Sequence, residues 1–182
     1  MRATGIVRRI DDLGRVVVPK EIRRILKIRE GDPLEIYTDK EGEIILKKYS
    51  PIGELTEFAK EYADAIAGVS GYKVIITDRD QVIAVAGGVK KDYQGKNLTE
   101  KMEDVMSDRD IILSGAGKKS VEIVDKYEYT DYGQVICPIV CDGDIIGAVV
   151  VIGKDVGMQI GDTESRLAAV AAAFLGKQME SR

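Results

Sequence analysis

The apolar positions of this chain change period several times, and each change marks an element. Gly5 to Ile10 and Arg15 to Val18 are short β-rich runs, separated by the turn formers Asp11-Asp12-Leu13-Gly14. Ile6, Arg8 and Ile10 share one face of the first run, with Val7 on the other; apolar residues on both faces suit a strand sandwiched between others. Pro19 fits the first position of a helix, where a missing N–H costs nothing. In that helix Ile22, Ile25 and Leu26 form one stripe and Lys20, Arg23, Arg24 and Lys27 the opposite one. Gly31-Asp32-Pro33 ends it. A hairpin follows, from Leu34 to Thr38, through Asp39-Lys40-Glu41-Gly42, and back along Glu43 to Lys48.

Ser50-Pro51 opens a second region. Leu55, Phe58, Ala59, Tyr62 and Ile66 recur at helical spacing, and Leu167, Val170, Ala171, Phe174 and Leu175 repeat the pattern within Asp162 to Met179. Each helix either covers one face of a sheet or joins a bundle between two C-terminal domains. Between them lie strand patterns at Tyr72 to Thr77, Val82 to Val85, Val121 to Val124, Val135 to Cys141 and Asp144 to Ile152, with a helix over Thr99 to Arg109. Asp142-Gly143 is a type I′ hairpin signal. This order predicts an α+β fold, an antiparallel sheet with its terminal helices on one face. The expected division is residues 1–50, a connector helix at 51–70, and residues 71–182.

Charge separates the same regions. Met1 to Arg29 holds nine Lys/Arg against three Asp/Glu, a net of +6; the whole chain is −4, which leaves −10 for the rest. A basic end on an acidic protein is the footprint of polyanion binding. A basic helix face by itself is often only solvated surface. Here Arg8, Arg9 and Arg15 flank a tight turn close in sequence to that helix, and guanidinium forks match phosphate bidentately. Four short strands and a stub of helix in about 50 residues also make a marginal core with open strand edges. Two chains exchanging hairpins would close those edges and double the arginines presented, and a twofold-symmetric protein suits duplex DNA.

Other chemistry is thin. The chain has no histidine, which removes Ser/His/Asp and Cys/His nucleophiles and most zinc sites. Cys137 and Cys141 lie four apart on a predicted strand, roughly 13 Å between Cα atoms, too far for a disulfide, and are expected as two reduced, buried residues. Ser114-Gly115-Ala116-Gly117-Lys118-Lys119-Ser120 resembles a phosphate loop but has Ile112 where the first glycine belongs and Lys119 where Ser or Thr belongs, so it is expected to be an exposed loop. No catalytic residue, metal or cofactor is expected. Met1-Arg2-Ala3-Thr4 leads directly into a strand pattern, and no apolar run approaches membrane-spanning length, so a cytoplasmic protein with no membrane partner is expected.

The run TGIVRRIDDLGRVVVPKEIRRILKIREGDPLEI, continuing to ILKKY, resembles the AbrB-like swapped-hairpin DNA-binding domains of bacterial transition-state regulators. That resemblance implies a dimeric barrel interleaving hairpins from two chains. It implies DNA contacts at Arg8, Arg15, Arg23 and Arg24, with Arg9 and Lys20 carried over less directly, and Asp11 as a turn residue orienting a neighbouring arginine. GYKVIITDRDQVIAVAG and GDIIGAVVVIGKD resemble a GAF domain, a small-molecule sensory module, with a PAS domain as the alternative for the same layout. Neither the Asn-Lys-x-Asp pattern of cyclic-nucleotide GAF domains nor a chromophore-attaching cysteine in context is present. A pocket would lie between the sheet and Gly87 to Ser120. The pairing of both domains resembles regulators of endospore-forming bacteria. It implies a transcription factor that activates some sporulation genes and represses others, a tetramer joined through C-terminal domains, and action on the nucleoid of the forespore. The same N-terminal fold also serves antitoxins that bind a protein partner, the second functional reading.

Overall fold

A computed structural model of the chain describes residues 5–50, 52, 56–115 and 119–180. Met1 to Thr4, Pro51, Leu55 of the helical stripe, and Ala116 to Lys118 of the phosphate-loop look-alike lie outside the described residues. The chain divides into two compact units, Met1–Tyr49 and Ser50–Arg182.

In the first unit the predicted turn forms. The Asp11 N–H donates to the Arg15 carbonyl and the Gly14 N–H to the Asp11 carbonyl, both at 3.0 Å, with Gly14 at φ 77°. The flanking runs, expected as strands at Gly5 to Ile10 and Arg15 to Val18, have no strand partner in the single chain. Helix α1 (Lys20–Ile25) begins one residue later than expected, with Pro19 as its N-cap. Strands β1 (Leu34–Thr38) and β2 (Ile44–Lys48) pair antiparallel, Leu34 opposite Lys48 and Thr38 opposite Ile44. That register puts Leu34, Ile36, Ile44 and Leu46 on one face. No described apolar residue of this unit is buried, and Val7, Ile10, Val17, Ile25, Leu26 and Ile36 stand exposed.

The second unit is built differently. Helix α2 (Thr56–Ser70) leads to β3 (Lys73–Asp78) and β4 (Val82–Ala86), then α3 (Glu100–Ser107), β5 (Ile112–Ser114), β6 (Tyr132–Cys141), β7 (Asp144–Val156) and α4 (Asp162–Glu180). Among the described residues the strands form one antiparallel sheet ordered β4-β3-β7-β6-β5. Asp142 and Gly143 both take positive φ, 49° and 82°, as a type I′ turn requires. Helices α2 and α4 cover the face carrying Val74, Ile76, Val149 and Val151; α3 and the loops around it cover the face carrying Ile75, Val150 and Ile152. With both faces covered, β3 and β7 read as continuous apolar runs.

Several elements differ from expectation. The β5 edge strand was not expected, whereas Val121 to Val124 contributes a single bridge, Val124 to Leu98. The sheet-facing stripe of α2 is Ala59, Ala63 and Ala67, while Phe58, Tyr62 and Phe174 stack between α2 and α4 with ring centroids 5.0–6.2 Å apart. On α4 the buried residues include Ala168, Ala171, Ala172, Leu175 and Gly176, whereas Val170 is 65% and Phe174 39% exposed. The helix lies so close that a Cβ at Gly176 would stand 2.2 Å from the Val140 carbonyl oxygen. The sheet side of the two helices is thus mostly alanine and glycine, joined by Leu175 and Met179, while Val170 and Phe174 face outward.

Candidate nucleic-acid interface

The turn and α1 bring the arginines forward. Asp11 organises the turn: its Oδ1 accepts the Leu13 N–H at 3.0 Å and the Arg15 N–H at 2.7 Å, and its Oδ2 accepts from Arg15 Nε at 3.0 Å. These bonds, the Arg15 N–H first, hold the Asp11 carboxyl below the usual aspartate range. The Arg15 side chain stays 69% exposed, so Asp11 fixes its base while the guanidinium remains reachable. Arg8 and Arg9 precede the turn, both exposed, and Arg8 Nη1 donates to the Val7 carbonyl at 3.3 Å. Lys20 opens α1, exposed; Arg23 and Arg24 fill its last turn, Arg23 half-buried and Arg24 exposed. All six candidate residues thus lie in the same unit, Arg8, Arg9 and Arg15 flanking one turn and Lys20, Arg23 and Arg24 on one short helix.

The helix is braced from behind. Lys27 takes a left-handed φ of 51°, and its carbonyl accepts from Lys48 Nζ at 2.9 Å. Lys48 also pairs at 3.1 Å with Asp32, whose side chain is only 2% exposed and accepts the Arg29 N–H at 2.8 Å. Sequence reasoning passed over Asp32 and Lys48 because a Gly-Asp-Pro run reads simply as a stop. At the far hairpin tip the exposed Asp39, Glu41 and Glu43 gather, but Asp39 Oδ1 is engaged by the amides of Glu41 and Glu43, which closes the turn.

In the second unit, the space expected to hold a pocket is filled by Tyr93, Met102, Met106, Ile123, Tyr127 and Tyr129. Gln134, 1% exposed, fastens this layer to the sheet: its amide donates to the Val121 carbonyl and the Tyr127 hydroxyl, both at 3.2 Å, and accepts the Val121 N–H at 2.9 Å. A groove of about 340 Å³ lies instead on the opposite side, against α4 and β6, lined in part by Pro138, Val140, Ala172 and Lys177. Both cysteines are unbonded thiols; Cys137 is buried as expected, Cys141 only partly. Burial pushes the Cys137 thiol up to about 11 and raises Cys141 as well, so neither is a ready nucleophile at neutral pH.

A basic hairpin-and-helix unit is joined to a five-stranded sheet covered on both faces. Residues 54–180 match the family described as Stage V sporulation protein T C-terminal, transcription factor, and residues 7–54 match antidote-toxin recognition MazE, bacterial antitoxin. The chain is 55% identical over 180 residues to Stage V sporulation protein T of Bacillus subtilis (strain 168), covering 99% of each. It is 45% identical over 86 residues to the transition state regulatory protein AbrB of the same organism, covering 46% of this chain and 88% of that one. The GAF domain from the Acinetobacter phosphoenolpyruvate-protein phosphotransferase shares the fold of the second unit, with a TM-score of 0.58 at 14% identity over 70% of this chain and 82% of that chain. The chain belongs to the stage V sporulation protein T family of transcription factors. The second half shares the GAF fold.

Proposed function

We propose that two copies interleave their first units and that the resulting surface clamps duplex DNA through Arg8, Arg15, Arg23 and Arg24 of each chain, with Arg9 and Lys20 alongside. One observation carries this reading. Eleven exposed large hydrophobic side chains from Val7 to Leu46, Leu13, Val16 and Ile44 among them, have no core of their own, and the arginines stand in the same unit. A second chain supplies that core and pairs the runs at Gly5 to Ile10 and Arg15 to Val18. The grip falls mainly on phosphates, with sequence preference drawn partly from groove shape.

The outward Val170 and Phe174 on α4, beside Phe58 and Tyr62, support pairing of second units as well, which gives a tetramer. The second unit senses a small molecule or another signal. The protein is a regulator without enzymatic activity that activates some sporulation genes and represses others, acting in the cytoplasm on the nucleoid of the forespore. The antitoxin reading draws on the match over residues 7–54, but residues 54–180 form a folded domain of a transcription-factor family, not a tail that wraps a toxin.

Fluorescence anisotropy with duplex oligonucleotides across a salt series, alongside native mass, tests the reading. If a dimer neutralises about eight phosphates, affinity falls by about three to five decades between about 50 and 200 mM salt. A monomeric chain, or one with no measurable affinity at low salt, overturns it.

A further inference from the structure

Helix α1 ends without a glycine where its geometry calls for one. The Ile28 N–H donates to the Arg23 carbonyl at 2.7 Å and the Lys27 N–H to the Arg24 carbonyl at 3.3 Å. That pair of bonds is the Schellman arrangement, in which the residue just past the helix takes a left-handed backbone and is usually glycine. Here it is Lys27, at φ 51°. A side chain in that conformation costs free energy that glycine does not, so a contact from outside the helix that holds the turn stabilises it. Lys48 of β2 makes that contact: its Nζ donates to the Lys27 carbonyl at 2.9 Å. The same ammonium is held at 3.1 Å by the Asp32 carboxylate, whose side chain is 2% exposed against 21% for Lys48. Asp32 is fixed in turn by its own loop, its Oδ2 accepting the Arg29 N–H at 2.8 Å and its N–H donating to the Arg29 carbonyl at 3.2 Å. All of these bonds lie inside the first unit.

The carbonyls that close the turn belong to Arg23 and Arg24 themselves. If the left-handed turn relaxed, the last turn of α1 would fray and the two guanidiniums would lose their common base. We propose that Lys48 and Asp32 are positioning residues for the DNA grip: they hold the end of α1 in its left-handed turn, so that Arg23 and Arg24 are preset before a duplex arrives. Groups already in place lose less freedom on binding. The role rests on the DNA-binding reading above and adds to it a lysine that sets the arginines without itself meeting phosphate.

A double-mutant cycle in the full chain tests the role, read by anisotropy with a duplex oligonucleotide across a salt series. Lys48→Met keeps most of the side chain and removes its charge. It weakens binding about tenfold, the factor one hydrogen bond from a charged group is worth, and leaves the slope of log affinity against log salt within about half a unit of wild type. Glycine adopts the left-handed turn unaided. In a Lys27→Gly background, therefore, Lys48→Met costs less than about threefold, and comparison within that background cancels the loss of the Lys27 charge. Lys48→Arg, which keeps a cation on β2, stays within about threefold of wild type. A phosphate contact at Lys48 would behave differently: its loss from both chains of a dimer would flatten the slope by about 2 and cost the same in both backgrounds. That result overturns the proposal, as does a Lys48→Met chain that binds as tightly as wild type. A Lys48→Met chain that loses its dimer mass or its circular dichroism places Lys48 in folding rather than in aim, and overturns it too. Each of these failures leaves the DNA-binding reading standing, which falls only if the wild-type chain does not bind the duplex.

Discussion

In Ser50–Arg182 side chains on both faces of the sheet reach zero exposure, Val74 and Ile76 on one and Val150 and Ile152 on the other, whereas in Met1–Tyr49 no described apolar residue is buried. Charge divides the same way. The first unit carries twelve Lys/Arg against nine Asp/Glu, a net of +3, and the second fifteen against twenty-two, a net of −7. One unit closes its own core and sheds its basic charge; the other leaves its apolar face open and concentrates arginine beside it. Self-sufficiency and binding are thus opposed uses of the same apolar content. A unit that completes itself has little left to offer, and a unit that must be completed by another chain presents two sets of cations at once.

The sharpest break of this comparison is a steric one in the self-sufficient unit. A Cβ at Gly147 would stand 2.0 Å from the Thr77 carbonyl oxygen, a backbone atom held in the β3–β7 ladder. Gly147→Ala is expected to cost about 3 kcal/mol or more, measured by chemical denaturation. A denaturation midpoint near wild type would mean that β3 and β7 separate cheaply.

Next in size is a change that looks harmless in a single chain. Ile36 is 67% exposed, and a substitution at such a surface position ordinarily moves stability by less than about 0.5 kcal/mol. If two first units share one core, Ile36→Asp buries an unpaired carboxylate at their junction and raises the dimer dissociation constant by about 100-fold or more. Sedimentation across a dilution series reads this directly. An unchanged constant would leave the apolar face without a partner of its own kind.

How much of this contrast the residues announce depends on where each element finds its partner. The Asp11 to Gly14 and Asp142-Gly143 turns are local, and their residue types demand them. The edge strand Ile112–Ser114 is three residues long and exists through its register with Val135 and Ile136, so periodicity could not find it. The runs at Gly5 to Ile10 and Arg15 to Val18 carry strand composition without a strand partner in their own chain. On α2 and α4 the large apolar residues draw the eye, yet a close helix–sheet approach needs alanine and glycine, which puts Val170 and Phe174 outside. The arginines were legible because charge clusters in sequence. Asp32 and Lys48, sixteen positions apart, meet only in the fold.

The charge half of the contrast is sharpened by Arg23→Ala combined with Arg24→Ala. In a dimer this removes four cations, and if all four meet phosphates, the slope of log affinity against log salt flattens by about 3 to 4. Affinity at low salt falls for unrelated sequences alike, because phosphate contacts carry no sequence information. Anisotropy at four or more salt concentrations reads both quantities. A slope within one unit of wild type removes these residues from the contact surface and leaves the grip to Arg8 and Arg15.

The smallest expected effect lies at Asp11, which is exposed in its turn and belongs to no core of its own chain. Its carboxylate is lowered from 3.8 by accepting the Arg15 N–H, so its contribution is present in full above that ordinary value and is lost as pH falls through the lowered one. The turn therefore keeps its form across the whole neutral range and loosens only in acid, and any change of DNA affinity with pH between about pH 6 and 8 should owe nothing to the titration of this group. Asp11→Asn keeps an acceptor for the Leu13 and Arg15 amides but gives up the ion pair at Arg15 Nε. Affinity should then drop less than about tenfold with the salt slope unchanged, since no phosphate contact is lost and only the aim of one guanidinium is relaxed. A slope that changes along with affinity would make Asp11 part of the electrostatic surface itself, and the division between residues that grip and residues that aim would have to be redrawn.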